Sequence, residues 1–355
     1  MKKLGILTFW GVPNAGTFGQ AYAMQKTLSS LLPEWKVYQI KHLCDAHRQL
    51  YLIDDQNAEK WQRELNAVYA REFDKIPHMG LNEARLDVVV LGSDLIWDFA
   101  IKEFGEDQYL FGNDLDADKV IAYAPSFGTC KSEWRRIPEY VTKGLTNLDA
   151  VSVRDENSAA LAEYIIGQRP DIVLDPVWLW DWEKDESVDV PQMGNYILVY
   201  GDSFSESYIS NLITYAKNKN LQLVSYPNNN HIYPWCDTNL DPSEVMPKDL
   251  FGYFKGAQLI ATDSFHGLAF GLLFEKKIAY SRSPFIDAKA KNLLIELGID
   301  EYFNVDGDIE GMYSQEWDYA YINKVIEGKR NRSIEYLLNS IVGDQLFAGR
   351  GMHES

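Results

Sequence analysis

Short apolar runs alternate with stretches of helical periodicity along this chain, and this alternation limits the fold more than any other feature. In the first half, the strand candidates are residues 4–8, 36–40, 87–91, 119–123, 150–153 and 171–174. Amphipathic stretches separate them; in residues 17–32, for example, Phe18, Ala21 and Leu28 fall on one helical stripe. The highly charged residues 58–85 predict one or two surface helices. Strands that alternate with helices predict βαβ units and a parallel sheet.

A second series of the same kind follows in the other half. Its strand candidates are residues 196–200, 221–226, 258–261 and 277–280, and its helix candidates are 204–218, 247–255, 266–274 and 287–297. Residues 181–195 are acidic, contain a proline and a glycine, and lack periodicity, which is typical of a linker. The long run 316–341 predicts a C-terminal helix or helix pair.

These observations predict an α/β protein with two Rossmann-like domains that face a cleft. A chain of 355 residues suits two domains of ordinary size. We place the N-terminal α/β domain at residues 1–180, the linker at 181–195 and the C-terminal α/β domain at 196–310. The helical tail, 311–355, is expected to pack back on the N-terminal domain.

Charge and cysteine content limit the class of partner and the compartment. The formal net charge of -18 argues against nucleic acid or an anionic membrane as the main partner. The three cysteines, Cys44, Cys130 and Cys236, lack metal-type spacing and suit reduced thiols. No stretch approaches the roughly 20 apolar residues of a membrane span, and the short N-terminal apolar run predicts a strand rather than a signal peptide. We expect a soluble, cytoplasmic protein.

Three polar clusters follow strands of the first half, where open α/β sheets bind ligands. Asn14, Gly16 and Thr17 lie in a loop that leads from the first strand into a helix. Such a loop offers unpaired N–H groups to an anion, although Asn14 or Thr17 could simply cap the helix. Ser93 and Asp94 end a fully apolar strand and could likewise cap a following helix. Ser126 marks a third break.

Two further clusters carry the residues best suited to chemistry. Arg154 stands just past a strand, where it could clamp a phosphate or carboxylate, or form a salt bridge with Asp155 and Glu156. The fifth cluster, residues 262–267, lies between two apolar runs, and Asp263 or Ser264 can cap the helix that begins near His266. A histidine in this first turn can act as a general acid or base, with Asp263 as its partner, or close the loop structurally.

In their order, these clusters resemble the polysaccharide pyruvyl transferase family. The resemblance covers about 300 residues, and no single piece of it is specific. The matching stretches are residues 14–16, 20–24, 91–94 with Trp97, 123–128, 152–155, 174–176 and 262–267.

The resemblance implies a glycosyltransferase-B-like architecture and phosphoenolpyruvate as the donor substrate, without a metal or other cofactor. Pyruvate would be moved as a ketal onto two hydroxyls of a sugar in a surface polysaccharide or its lipid-linked precursor. His266 takes the place of the family's catalytic acid, and Arg154 that of a donor-binding arginine. The expected substrate-binding set is Asn14, Gly16, Thr17, Ser93, Asp94, Ser126, Arg154, Asp263, Ser264, Gly267 and Arg282.

Two positions depart from the family pattern. In the better-understood members an arginine often stands two residues before the motif histidine, and here that residue is Ser264. Arg282, just past a strand candidate, is the proposed replacement for the lost cation. Pro125 stands where the family usually has a small residue.

Two other functions fit the same sequence. A glycosyltransferase that uses a nucleotide sugar would share the fold and would reveal itself by tight nucleotide binding. A non-catalytic glycan- or metabolite-binding protein would bind ligand without turnover. The expected partners are a small-molecule donor and a saccharide acceptor; a lipid-linked acceptor implies peripheral membrane contact, and a homo-oligomer is compatible with the sequence.

Overall fold

The first half of the chain forms a seven-stranded parallel sheet. The computed structural model describes residues 1–104, 106–131, 133–134, 136–228, 232–303 and 307–343. The strands of the first sheet are β1 (Lys3–Leu7), β2 (Lys36–Lys41), β3 (His78–Gly80), β4 (Leu86–Leu91), β5 (Ala117–Ala122), β6 (Ala150–Val153) and β7 (Asp171–Ile172). The helices around it are α1 (Ala15–Leu31), α2 (Asp45–Leu50), α3 (Lys60–Phe73), α4 (Glu139–Thr146) and α5 (Glu156–Ile166).

Strand order puts the most apolar strands at the centre of this sheet. The order is β3-β2-β1-β4-β5-β6-β7, with Leu4 paired to Val88 and Leu7 to Leu91. β4, with the sequence LDVVVL, is buried at five of its six positions, because helices cover both faces of a parallel sheet. The continuous apolar run seen in the sequence is therefore a central strand.

The second half repeats the arrangement with five strands, all parallel. They are β8 (Tyr196–Tyr200), β9 (Gln222–Ser225), β10 (Thr238–Asn239), β11 (Leu259–Thr262) and β12 (Lys277–Tyr280), in the order β10-β9-β8-β11-β12. The remaining helices are α6 (Glu206–Lys219), α7 (Asp249–Gly256), α8 (Phe265–Leu273), α9 (Pro284–Glu296), α10 (Ile309–Ser314) and α11 (Tyr319–Val342). The α/β class with two parallel sheets, expected from the sequence, is confirmed.

Two local predictions differ from the structure. Within residues 58–85, α3 is followed by the short edge strand β3, which pairs only with β2 and is half-buried, so it leaves no apolar run in the sequence. No helix begins at Ser93 or Asp94. Instead, Asp94 adopts a φ of 76° and forms a parallel bridge with Pro125.

Residues between the two sheets pack into a shared core. Trp182 lies within the predicted linker and is buried against the second half, with its ring centroid 4.2 Å from that of Phe251 and 5.2 Å from that of Phe270. The segment 181–195 is thus anchored at its start rather than loosely tethered. The predicted domain boundaries stay a prediction.

The last helix crosses back to the first sheet. Leu337 and Ile341 of α11 join a core cluster with Leu4 and Val88. Ser333 Oγ accepts the backbone N–H of Leu174 at 3.0 Å. Residues 344–355 of the predicted tail lie outside the described residues. In the described part of the chain, no helix combines the length and apolar character needed to cross a bilayer.

Candidate active site

Strand ends from both sheets meet across the gap between the two halves. β1 leads into the loop before α1, β4 into residues 92–94, and β6 into Arg154. From the other half, β11 leads into the first turn of α8, which carries His266. The carboxyl ends of parallel strands lie at one edge of each sheet, so this topology brings the predicted clusters together.

Arg154 is buried and paired with carboxylates from other strand ends. Its Nη1 donates to Asp175 Oδ2 at 2.7 Å, and its Nη2 lies 3.6 Å from Asp94 Oδ1. Only 2% of the Arg154 side chain and none of the Asp175 side chain is exposed. Burial alone would lower the pKa of Arg154, but the charges of Asp175, Asp94 and Asp155 outweigh it and raise the pKa. The guanidinium therefore stays charged, and its direct ion pairs differ from the predicted pair with Asp155 and Glu156.

His266 sits at the contact between the two halves. Its Nε2 lies 3.7 Å from Asp175 Oδ2, which is longer than a hydrogen bond but close enough for charge attraction. The other ring nitrogen faces helix α1: a Cβ added to Gly16 would lie 2.3 Å from His266 Nδ1. The residue is 8% exposed, and its Nε2 has no hydrogen-bond partner among the described residues. Gly16 thus leaves the space that the imidazole occupies.

Asp175 links the arginine to the histidine. It follows β7 and caps the short turn 176–178 through the N–H of Val177. Burial raises the pKa of its carboxyl, but His266, Arg154 and the Val177 N–H outweigh burial and hold the pKa below its usual range. An ionised carboxylate therefore stands between two cationic or potentially cationic groups.

The loop before α1 makes contact with the strand end after β4. Asn14 Oδ1 accepts the N–H of Thr17 at 3.0 Å and so caps α1. The Thr17 hydroxyl donates to Asp94 Oδ2 at 2.7 Å. Asp94 is therefore held by both Thr17 and Arg154. The predicted residues of this loop, Asn14, Gly16 and Thr17, lie next to this strand end.

Ser93 and Ser126 are fully buried and orient neighbouring groups. The Ser93 hydroxyl lies 2.8 Å from the Ala124 carbonyl and 3.1 Å from Asp175 Oδ2. The Ser126 hydroxyl donates to Asp155 Oδ2 at 2.6 Å. Each serine therefore contacts a carboxylate at a neighbouring strand end.

The polar residues at the start of α8 make two different sets of hydrogen bonds. Ser264 caps the helix, with its Oγ 3.4 Å from the Gly267 N–H. Asp263 turns away from His266 and accepts the N–H groups of Asp202 and Ser203, so Asp175 rather than Asp263 is the carboxylate beside the imidazole. A Cβ on Gly267 would lie 2.0 Å from Thr262 Oγ1, which explains the need for glycine there.

Arg282 is engaged elsewhere in the second half. Its Nε donates to Asp287 Oδ1 at 2.9 Å, and its Nη1 lies 3.0 Å from Asp300 Oδ1. The structure brings Gly16, Arg154 and His266 together but gives Arg282 two carboxylate partners of its own. Its predicted role as a replacement cation therefore has no support in these contacts.

Sequence comparison identifies the family of the chain. The profile of the polysaccharide pyruvyl transferase family matches residues 19–279, well over half of the chain. The chain belongs to this family. It is thus a transferase of polysaccharide biosynthesis. No curated protein sequence matches it significantly.

Solved structures resemble this family member in fold. A UDP-N-acetylglucosamine 2-epimerase aligns with a TM-score of 0.50 at 13% identity, covering 100% of this chain and 98% of its own. MnaA of S. aureus, in a co-structure with UDP, has a TM-score of 0.48 at 14% identity, covering 96% and 98%. The Methanocaldococcus jannaschii UDP-GlcNAc 2-epimerase has a TM-score of 0.45 at 14% identity, covering 96% and 99%. The likeness to the first of these structures, the UDP-N-acetylglucosamine 2-epimerase with a TM-score of 0.50, supports the expected glycosyltransferase-B-like architecture.

A cavity of about 910 Å³ opens beside the buried arginine of this pyruvyl transferase. Its wall includes Arg154, Asp155, Asp175, Phe265 and Lys289. The Phe265 ring lies against the guanidinium, 5.0 Å from Arg154 Cζ. Among the described residues, His266 does not line this cavity.

Sequence reasoning missed two residues of the site. Asp175 directly follows a strand candidate and precedes Pro176, so its position at a strand end was a usable signal. Lys289 lies inside α9 and reaches the site only because that helix packs against the first half. Nothing in the local sequence distinguishes it from other helix-surface lysines.

Proposed function

We propose that this transferase moves pyruvate from phosphoenolpyruvate as a ketal onto a sugar of a surface polysaccharide or its lipid-linked precursor. The observation that carries the proposal is the chain of contacts from Arg154 through Asp175 to His266, which joins the two halves. It sets an anion-binding guanidinium near a residue that can transfer a proton. The reduced state expected of the cysteines favours a cytoplasmic reaction.

The donor would bind through its two anionic groups. The Arg154 guanidinium offers donors to a carboxylate or phosphate, and its Nε has no hydrogen-bond partner among the described residues. N–H groups at the start of α1 and α8 add positive potential at Gly16 and Gly267. Because the chain is acidic overall, this local arrangement must supply the attraction for the donor.

In the proposed reaction, protonated His266 gives its proton to the methylene carbon of the enol phosphate. The double-bond electrons form the new C–H bond, and C2 becomes electrophilic. A sugar hydroxyl then attacks C2 and loses its proton to the now neutral imidazole. Cleavage of the C2–O bond releases phosphate, which leaves with the electron pair. A second hydroxyl closes the ketal, and its proton goes to phosphate.

Asp175 would be the carboxylate next to the imidazole at the start of this sequence. Its carboxylate faces His266 Nε2 at 3.7 Å, and His266 and Arg154 together hold its pKa below the usual range. Since Nε2 is buried in this conformation, the donor would reach it when the two halves move apart. Domain opening and closure of this kind is common in enzymes that sequester a reaction from water.

The experiment is phosphate release from phosphoenolpyruvate in the presence of a panel of glycan acceptors. We expect turnover by the wild type and a loss of about 100-fold or more in His266→Ala, within the range for general acid–base catalysis. His78→Ala, which changes a histidine of edge strand β3, is the matched control and should keep its activity. In D₂O the ketal methyl group should gain one deuterium.

Retained turnover in His266→Ala would contradict the proposed role of the imidazole. Turnover with a nucleotide sugar but not with phosphoenolpyruvate would contradict the proposed donor. Saturable binding of phosphoenolpyruvate without turnover on any acceptor would instead favour a binding protein.

A further inference from the structure

The proposed donor brings more negative charge than the buried arginine alone can offset. Phosphoenolpyruvate carries a carboxylate and a phosphate, whereas Arg154 Nη1 is already bonded to Asp175. The start of α8 contributes no cationic side chain at position 264, which is a serine that caps the helix. Arg282 is held by Asp287 and Asp300. Another positive group is needed if the donor binds here.

Lys289 is placed to supply that charge. It lies on α9, which packs against α5 of the first half. Its side chain lines the same cavity as Arg154, Asp155 and Phe265. Lys289 is half-buried and belongs to the second half of the molecule. It therefore faces the cavity from the side opposite Arg154, which follows β6 in the first half.

Charged groups from several elements surround this amine. Burial and, to a smaller extent, the charge of Arg154 lower the pKa of Lys289 to about 7, although the charges of Asp94, Asp155 and Asp98 act in the opposite direction. Of these, Arg154 and Asp155 come from the end of β6, and the other two follow β4. Glu156 of α5 and Glu296 of α9 also line the cavity, as do the cations Lys119 of β5 and Lys329 and Arg332 of α11.

Two of the carboxylates whose charges act on this amine also accept hydrogen bonds from other groups. Asp155 accepts the Ser126 hydroxyl and the Ser158 N–H, and Asp98 accepts the Thr129 hydroxyl and N–H. Two cations that face each other across a cavity repel each other, and an anion bound between them removes that repulsion. A pair of cations that face one cavity is therefore suited to a small anion with more than one negative charge.

We propose that Lys289 is a substrate-binding residue that holds the phosphate or carboxylate of phosphoenolpyruvate together with Arg154. The proposal rests on the proposed function and names the donor-recognising cation of the same site. The amine would contact the donor directly, from the half of the molecule that also carries His266. Closure of the two halves would then bring Lys289 and Arg154 onto one anion.

The test compares Lys289→Met with Lys289→Arg, and uses Lys291→Met as the matched control. Lys291 is an exposed lysine on the same helix. We expect Lys289→Met to raise KM for phosphoenolpyruvate about 10- to 100-fold, as loss of a charge-assisted bond does, with a much smaller change in kcat. Lys289→Arg should recover most of that affinity, and Lys291→Met should match the wild type.

A pH profile separates a binding role from a structural one. In the wild type, kcat/KM should fall as pH rises through about 7, because the amine loses its proton there. Lys289→Arg should lose less kcat/KM on this alkaline limb than the wild type, since arginine stays charged. The donor ionises identically with both enzymes, so the difference between their profiles belongs to residue 289.

Inorganic phosphate provides a probe that does not depend on turnover. Calorimetry should show weaker phosphate binding to Lys289→Met than to the wild type and to Lys291→Met. Equal KM and equal phosphate affinity in all of these proteins would overturn the inference while leaving the proposed function intact. Absence of turnover with phosphoenolpyruvate in the wild type would overturn the proposed function, and the phosphate titration would still decide whether Lys289 binds an anion.

Discussion

At the residue scale, the contact between Gly16 and His266 shows why the first turn of α1 cannot carry a side chain. The imidazole occupies the space that a Cβ would need, at 2.3 Å from Nδ1, so any larger residue must displace the ring. The position of His266 therefore depends on a glycine from the opposite half of the molecule. This dependence is directly testable.

Gly16→Ala should lower kcat/KM at least about ten-fold and reduce stability by about 1–3 kcal/mol, the usual cost of overpacking. The measurements are steady-state kinetics and urea unfolding. Gly194→Ala is the control, because nothing lies within 4 Å of a Cβ added there. Wild-type kinetics in Gly16→Ala would show that the imidazole does not need its present position.

Asp175 should stabilise the fold in a pH-dependent way. Its pKa is lower in the folded protein than in the unfolded chain, so its contribution is full above about pH 4 and is lost as pH falls through the folded value. Asp175→Asn, which leaves Arg154 buried without its main partner, should cost about 3–5 kcal/mol at pH 7. The difference from the wild type should shrink as pH falls below about 4.

Urea unfolding between pH 7 and pH 3 measures this difference, with Asp118→Asn as an exposed control expected to change stability by less than about 1 kcal/mol. A penalty that stays constant over the whole range would mean that the pKa of Asp175 does not differ between the folded and the unfolded protein.

At the element scale, strand positions could be predicted and their partners could not. β6, β8 and β12 have the predicted bounds because their apolar runs end abruptly at a polar residue or a glycine. β3 and β10 were missed, since edge strands of three and two residues are half-buried and carry no apolar run. Likewise, the polar break at 262–267 predicted a helix start with a histidine, but the role of Asp175 beside it depends on how two distant strand ends meet.

The last helix should contribute to the stability of the first half. Leu337 is fully buried in the core cluster that α11 shares with β1 and β4, so Leu337→Ala should cost about 2–5 kcal/mol through the lost burial and the cavity left behind. Lys324→Ala, on an exposed position of the same helix, is the control. A loss below about 0.5 kcal/mol in Leu337→Ala would contradict the packing of α11 on this sheet.

At the scale of the whole molecule, the strand ends of the two parallel sheets face each other. Hydrogen-bond donors and charged groups from both sheets therefore line the cleft between them. A small anion that contacts both halves should stabilise the folded protein. Phosphoenolpyruvate at 100 times its Kd should raise the free energy of unfolding by about 2.7 kcal/mol. His266→Ala should keep most of this stabilisation if the imidazole serves proton transfer rather than binding. Thermal unfolding with and without donor measures it, and an unchanged Tm in the wild type would contradict donor binding.

The most direct test is a crystal structure of the protein with phosphoenolpyruvate bound. The account predicts that an anionic group of the donor lies within hydrogen-bond distance of the Arg154 guanidinium, while the methylene carbon faces the His266 ring. A donor bound away from Arg154, or one whose methylene carbon points away from the imidazole, would contradict it.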